Sequence, residues 1–280
     1  MPDNDIRLPD AGGVRWSLCI RDHSGMPVTW VQPDATLRTA SVGKLLLLLE
    51  TARALSAGEL SRDEPLTRSV DEWVGDSGLW HTLSVETLPL VDVAALVGAV
   101  SDNLATNVLL RRVGLAEVAA RATALGLRAT ALHDRVRDHR TPEHPVTLST
   151  GSAGELSALA HRIATGTATG SDSDRLVCRW LSANVDQSMV GLPLVEQAGI
   201  DPIAHHDTLG PEPALWNKTG TDSGVRADVG VLTLRGRRIS WAAIANWDSA
   251  VGTSLEHLTV WSVLRGMRLV GDHVLHLATA

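Results

Sequence analysis

A serine and a lysine three residues apart, Ser41 and Lys44, stand at the head of an apolar run from Leu45 to Leu49. Residues at i and i+3 share a helix face, so a helix through this stretch puts the lysine amine one turn from the serine hydroxyl. A neutral amine so placed can take the serine proton and make the oxygen a nucleophile. Neutrality is the demanding part: moving a lysine from ~10.4 to ~7 costs ~4.6 kcal/mol. Burial and a second nearby cation together supply effects of that size. The other reading of Ser41 is a helix cap, its hydroxyl accepting from unpaired N–H groups of the first turn. Two further short stretches carry reactive types in a compact pattern, Ser101-Asp102-Asn103 and Lys218-Thr219-Gly220. Each also has a plain reading, Asp102 and Asn103 as N-caps of a following helix and Lys218 to Gly220 as a strand end.

Lysine usage separates these readings. Of 25 lysines and arginines only two are lysine, Lys44 and Lys218. Arginine serves as the general surface cation here and cannot be deprotonated in a protein, whereas lysine can act as a base or as a compact ammonium. The two lysines therefore mark positions where arginine would fail.

These residues need rigid elements to hold them. Residues 14–20 and 27–31 read as a hairpin turning at Ser24-Gly25, and 41–58 as a helix stopped by Gly58. Helices follow over 91–100, 104–113, 115–125, 152–165 and 174–185, with a polar loop over 133–147. Residues 198–213 read as loop, 214–220, 228–234 and 239–247 as strands, and 254–270 as a closing helix. Strands thus bracket a helical middle. The expected fold is α/β (α+β): an antiparallel sheet formed by both chain ends with flanking helices, plus an inserted all-α domain. The expected division is a sheet domain of 1–38 and 211–280 and an all-α domain of 39–210, with the site in the cleft between them.

In this order and on these elements, Ser41-Val42-Gly43-Lys44, Ser101-Asp102-Asn103 and Lys218-Thr219-Gly220 resemble the S-x-x-K, S-D-N and K-T-G set of class A β-lactamases and penicillin-binding proteins. The likeness extends to Ser101-Asp102-Asn103-Leu104-Ala105-Thr106-Asn107 and covers most of residues 14–270. Class C relatives use Tyr-x-Asn in place of S-D-N, and this chain has no tyrosine. The resemblance implies an acyl-enzyme at Ser41, Lys44 as proton acceptor or relay, and Ser101 passing a proton to the leaving nitrogen beside Lys218. It implies an oxyanion hole from the N–H groups of Ser41 and Thr221, and Asn103, Thr219 and Gly220 as substrate-binding residues. In a strand Lys218 and Gly220 face one way, and the missing side chain at Gly220 would let an acyl group lie along the edge. Arg226 stands where some members place an arginine that grips the substrate carboxylate; a surface charge at a strand start is the alternative.

One part of the pattern is missing. Class A enzymes activate the deacylating water with a Glu in a Glu-x-x-Leu-Asn run, and residues 133–147 offer only Asp134, Asp138 and Glu143. Glu143 or Asp138 is the candidate. The implied activity is hydrolysis of β-lactams or a related cyclic amide or ester. The alternatives are an acyltransferase or esterase, or a covalent penicillin trap with little turnover. The segment before residue 14 also looks too short for the family's first helix.

A net charge of −7 and a pI near 5.9 argue against a nucleic-acid partner, and residues 135–140 read as a solvated face. No run is long enough to span a membrane, and Met1-Pro2-Asp3-Asn4-Asp5 lacks a signal-peptide pattern, so the expected location is cytoplasmic, or periplasmic or secreted if a leader was removed. Cys19 and Cys178 read as free thiols, and His205-His206-Asp207 as a polar loop without further metal ligands. No metal or cofactor is expected; the partner is a small molecule, and oligomeric state is left open. The chain has nine Trp but no Tyr and no Phe, an absence without a physical account.

Overall fold

The computed structural model describes residues 6–10, 13–200, 214–249 and 253–280. The chain enters through β1 (Arg15–Arg21) and β2 (Pro27–Val31), then β3 (Leu37–Arg38), a 3-10 turn (Ala40–Gly43) and helix α1 (Lys44–Ser56). Short strands β4 (Pro65–Thr67) and β5 (Thr87–Pro89) lead to α2 (Leu90–Ala99), α3 (Asn103–Val113) and α4 (Leu115–Ala124). Next come β6 (Ala131–Leu132), β7 (Ser149–Gly151), α5 (Ala153–Ala164), α6 (Ser171–Ser182) and α7 (Gly191–Gln197). The chain closes with β8 (Ala214–Asp222), β9 (Val225–Leu234), β10 (Arg237–Asn246) and α8 (Ser254–Thr279).

Alternating apolar residues at both chain ends build one antiparallel sheet in the order β2-β1-β10-β9-β8. Its two faces bury different cores. Cys19, Trp216, Ala227, Val229, Val231 and Ile244 face the helical segment. Trp16, Leu18, Ile20, Leu232 and Trp241 face α7 and α8. In α8 the buried residues Val263, Met267, Val270, Val274 and Ala278 recur at helical spacing and give it an apolar stripe against the sheet.

The leucine run explains the place of α1. Leu45 to Leu49 are all at most 1% exposed, and a helix apolar on every side is a core helix. It is wrapped by α2, α3, α4 and α6. Everything fixed to its first turn is therefore fixed to the centre of the molecule.

The observed elements match the expected fold class; the short strands β3 to β7 and two points about the helices differ, and the segment before β1 is as short as expected. Helix α7 lies in a stretch with no expected element, and it packs with α8 on the outer face of the sheet although it falls within 39–210. Helix α8 runs to Thr279 instead of ending at Val270. Gly271 does not stop it because a Cβ there would lie 2.4 Å from Val190 O; the glycine serves close packing on α7. Residues 6–10 lead into β1 without a helix, anchored by Trp16 Nε1 donating to Pro9 O at 3.1 Å. Cys19 and Cys178 are free, and burial pushes the Cys178 thiol up to about 12. His205-His206-Asp207 lies outside the described residues. Among the described residues no helix is long and apolar enough to cross a membrane, and no three metal-ligating side chains are gathered together.

Candidate active site

Ser41 sits in the 3-10 turn rather than at a helix cap position, since the turn begins after Thr39 and α1 at Lys44. Ser149 on β7 pins that turn: its Oγ lies 2.7 Å from Thr39 Oγ1 and donates to Ala40 O at 2.6 Å. Nothing in the sequence pattern singled out Ser149, since its role depends on a contact 109 residues away in the chain.

Gly220 fixes the opposite wall. A Cβ there would lie 2.2 Å from Thr39 O, 3.1 Å from Val42 N and 3.2 Å from Ser41 N. The glycine therefore lets β8 pack directly on the serine turn, a correction to the expectation that it makes room for an acyl group. The close approach sets the Ser41 backbone beside the Gly220-Thr221 segment.

Between these walls lies a cavity of about 480 Å³, lined by Ser41, Ser101, Asn103, Thr219 and Thr221 among others. Lys44 and Lys218, both fully buried, reach in from two sides and meet on one oxygen. Ser101 Oγ accepts from Lys44 Nζ at 3.2 Å and from Lys218 Nζ at 3.0 Å. Two donors use both lone pairs of a hydroxyl, so its proton is left to point at a third atom. Lys44 Nζ also donates to Ser101 O at 2.7 Å and Asn103 Oδ1 at 2.8 Å. Its three donor contacts are those of a full ammonium, and none goes to Ser41. Taking the Ser41 proton requires one of them to be given up.

The electrostatics favour that loss. Burial is the largest cause of the well-lowered Lys44 pKa, followed by repulsion from Lys218; Asp102 and Asp76 oppose it. Burial brings Lys218 down to about 8, opposed by Asp186 and Asp228. Burial and the Lys218 cation beside it both favour loss of the Lys44 proton.

Asp102 is the N-cap of α3, its Oδ1 accepting from Ala105 N at 2.8 Å. Its Oδ2 also accepts from Leu79 N at 2.8 Å and Trp80 N at 2.9 Å, tying the 75–80 loop to the Ser101 corner. Asn103 lines the cleft with its amide engaged at both ends, Oδ1 on Lys44 and Nδ2 on Gly75 O at 2.9 Å. Of five non-glycine residues with positive φ among the described residues, Ala40, Asp76 and Ser101 line this cavity. Such backbone strain persists only where the surroundings over-determine it.

Glu143 and Arg226 are not brought to the cavity, and Gly220 is absent from its lining as well. Glu143 lies on an exposed turn outside the cavity lining, because Arg140 and Arg137 pull the loop's base onto Asp134, both at 2.7 Å, and leave Thr141 to His144 looping outward. Asp138 does line the cavity and accepts from Gly75 N at 3.1 Å. Arg137 and Arg140 line it as well, so this stretch is not simply a solvated face. Arg226 is also absent from the lining. Its guanidinium donates to Asp222 O at 3.1 Å and Val225 O at 2.7 Å and lies 5.7 Å from the Trp247 ring centroid.

The sequence model of the Beta-lactamase enzyme family matches residues 4–254. This chain belongs to the β-lactamase enzyme family. Solved β-lactamase-like structures share its fold. A β-lactamase from Sphaerobacter thermophilus aligns at 20% identity and TM-score 0.78, covering 96% of this chain and 93% of that one. PBP-A aligns at 20% identity and TM-score 0.75, covering 97% and 93%. A β-lactamase from Xanthomonas campestris aligns at 17% identity and TM-score 0.74, covering 95% and 92%. A search of the curated proteins found no match. Family membership makes this chain a serine β-lactamase-like hydrolase.

Proposed function

We propose that this β-lactamase-family protein opens the amide bond of a β-lactam or a related strained amide or ester through an acyl-enzyme at Ser41. The observation that carries this reading is the Ser101 hydroxyl held between two buried lysines, 3.2 and 3.0 Å away, in the cavity that Ser41 lines. Neutral Lys44 takes the Ser41 proton as the oxygen attacks the carbonyl carbon. The N–H groups of Ser41 and Thr221 receive the charge on the carbonyl oxygen. As the carbon–nitrogen bond breaks, Ser101 gives its proton to the leaving nitrogen and recovers one from the Lys44 side. Lys218 stays an ammonium and holds the Ser101 oxygen throughout. Asn103 and Thr219 are the walls against which the substrate rests.

Hydrolysis of the acyl-enzyme needs a base aimed at a water. Glu143 is not among the residues that line the cavity, and the carboxylates on the cavity wall are Asp76, Asp138, Asp186 and Asp222. Asp138 is the remaining candidate from the 133–147 loop. The test is intact mass after mixing with a penicillin, followed over time. The wild type is expected to gain one penicillin mass, and Ser41→Ala, which loses only the hydroxyl, none. A mutant that is still labelled would overturn the assignment.

A further inference from the structure

Asp134 draws two arginines onto one carboxylate at the base of the 133–147 loop. Its Oδ1 accepts from Arg135 N at 2.8 Å and Arg137 Nη2 at 3.1 Å, and its Oδ2 accepts from Arg137 Nε and Arg140 Nη1, both at 2.7 Å. A carboxylate offers about four lone-pair sites, so Asp134 is filled. Burial works against its charge, yet the hydrogen bonds from Arg137, Arg140 and Arg135 hold its carboxyl below the usual carboxylate range. It stays ionised. One negative charge therefore serves two guanidiniums, and one positive charge is left over.

That surplus comes with donors. Arg140 Nη1 also donates to Pro145 O at 3.0 Å, but among the described residues Arg137 Nη1 and Arg140 Nε and Nη2 make no hydrogen bond. Both side chains are mostly buried, 21% and 22% exposed, and both line the cavity that holds Ser41. The cavity's own carboxylates do not neutralise them. Asp138 accepts from Gly75 N, and among the described residues neither guanidinium forms an ion pair with Asp76, Asp138, Asp186 or Asp222. Guanidinium N–H groups at a cavity wall without a protein acceptor are open to one on a ligand, and their planar fork matches a carboxylate.

We propose that Arg137 and Arg140 together bind an anionic group on the acyl part of the substrate, so that the cleft prefers acyl groups that carry a carboxylate. The inference rests on acyl transfer at Ser41 and specifies its substrate class. With the carbonyl oxygen at the Ser41 and Thr221 N–H groups and the leaving nitrogen at Ser101 beside Lys218, the leaving half lies towards β8. The acyl half is left the loop side of the cavity, where Arg137 and Arg140 stand. Asp134 holds both arginines in place before a substrate arrives, so they meet the anion with little reorganisation, the condition for charge recognition to discriminate.

The test compares acylation by three penicillins that differ only at the α-carbon of the acyl side chain: benzylpenicillin, its α-carboxy derivative and its α-amino derivative, at a pH where the amine is protonated. All three share the ring carboxylate, so the comparison isolates the acyl side. The expected order of second-order acylation rates is carboxylate over hydrogen over ammonium, each step roughly two- to fivefold, the size of a partly exposed ion pair, and shrinking at high salt. Arg137→Gln and Arg140→Gln each leave Asp134 one arginine, so the loop base stays tethered while the surplus charge is gone. In each variant the ratio of carboxylate to hydrogen is expected to fall towards one. Acylation of the wild type at one rate by all three penicillins, or a preference for the carboxylate that survives in both variants, would overturn this inference alone. No acylation of Ser41 by any of them would overturn the acyl-transfer reading and this inference with it.

Discussion

In the proposed acyl transfer, Ser101 works between two buried amines that must differ in protonation. Lys44 must be neutral to act as a base, and Lys218 must be an ammonium to hold the Ser101 oxygen. Lys44→Arg keeps the charge and cannot supply a neutral nitrogen, so it is expected to lower the acylation rate by about 10²–10⁴-fold, as Lys44→Ala does. Stopped-flow acylation with a chromogenic β-lactam checks this; a rate near wild type would reduce Lys44 to an electrostatic prop. The pH profile follows from the same pair. Lys218 is protonated below about 8 and loses its proton as pH rises through that value, so kcat/KM for an uncharged ester is expected to fall on the alkaline side with a midpoint near 8. The acid side falls as Lys44 takes up its proton, at a pH well below the ordinary lysine value. Lys218→Arg, ionised at all accessible pH, is expected to be slower and to lose the alkaline limb. A limb unmoved in that variant would mean another group carries it.

At the scale of elements, the site is a meeting of three: the 3-10 turn before α1, the corner between α2 and α3, and strand β8. Gly220 decides how closely the first and third approach. Gly220→Ala puts a Cβ 2.2 Å from Thr39 O, and backbone on both sides must yield. We expect ~1–3 kcal/mol of lost stability, as for overpacking of a filled interior. A fall in acylation is expected alongside it, because Thr221 N–H moves away from Ser41 N–H. Urea melts and penicillin labelling measure the two effects. A variant that folds less stably yet acylates at the wild-type rate would show that the oxyanion hole does not depend on this contact.

For the whole molecule, acylation and hydrolysis draw on different regions. The acylating groups are held by the core helix α1 and the sheet, whereas the carboxylates available for deacylation sit on the 75–77 loop, the 133–147 loop and the edge of the cleft. With a chromogenic cephalosporin we expect a near-stoichiometric burst followed by a slow steady state. Fast steady-state turnover without a burst would refute that, and Asp138→Asn would then be expected to convert the enzyme to the slow form. If instead Glu143→Gln did so, the loop must close further over the cavity than its Asp134 tethers now hold it.

The chemistry-bearing residues were legible because they are local. Ser41 and Lys44 are three residues apart, Lys218 and Gly220 two, and the scarcity of lysine is visible without any structure. Helix α1 and the three last strands were legible for the same reason, since periodicity is a short-range signal. What needed the tertiary structure were the relations between distant segments. Ser149 pinning the serine turn, Gly220 abutting Thr39 O, and Arg226 turned onto Trp247 are each a contact whose partner the chain does not announce nearby. The position of Glu143 was lost in the same way. Its sequence neighbourhood offered a carboxylate in the expected loop, but the Asp134 ion pairs, which pull that loop's base inward, set its direction. The sequence by itself determined which chemistry-capable groups occur and in what order they stand along the chain. The packing of β8 and the loops around α1 decided which of them face the cavity, because burial and hydrogen bonding fix side-chain direction only once the distant walls are in place.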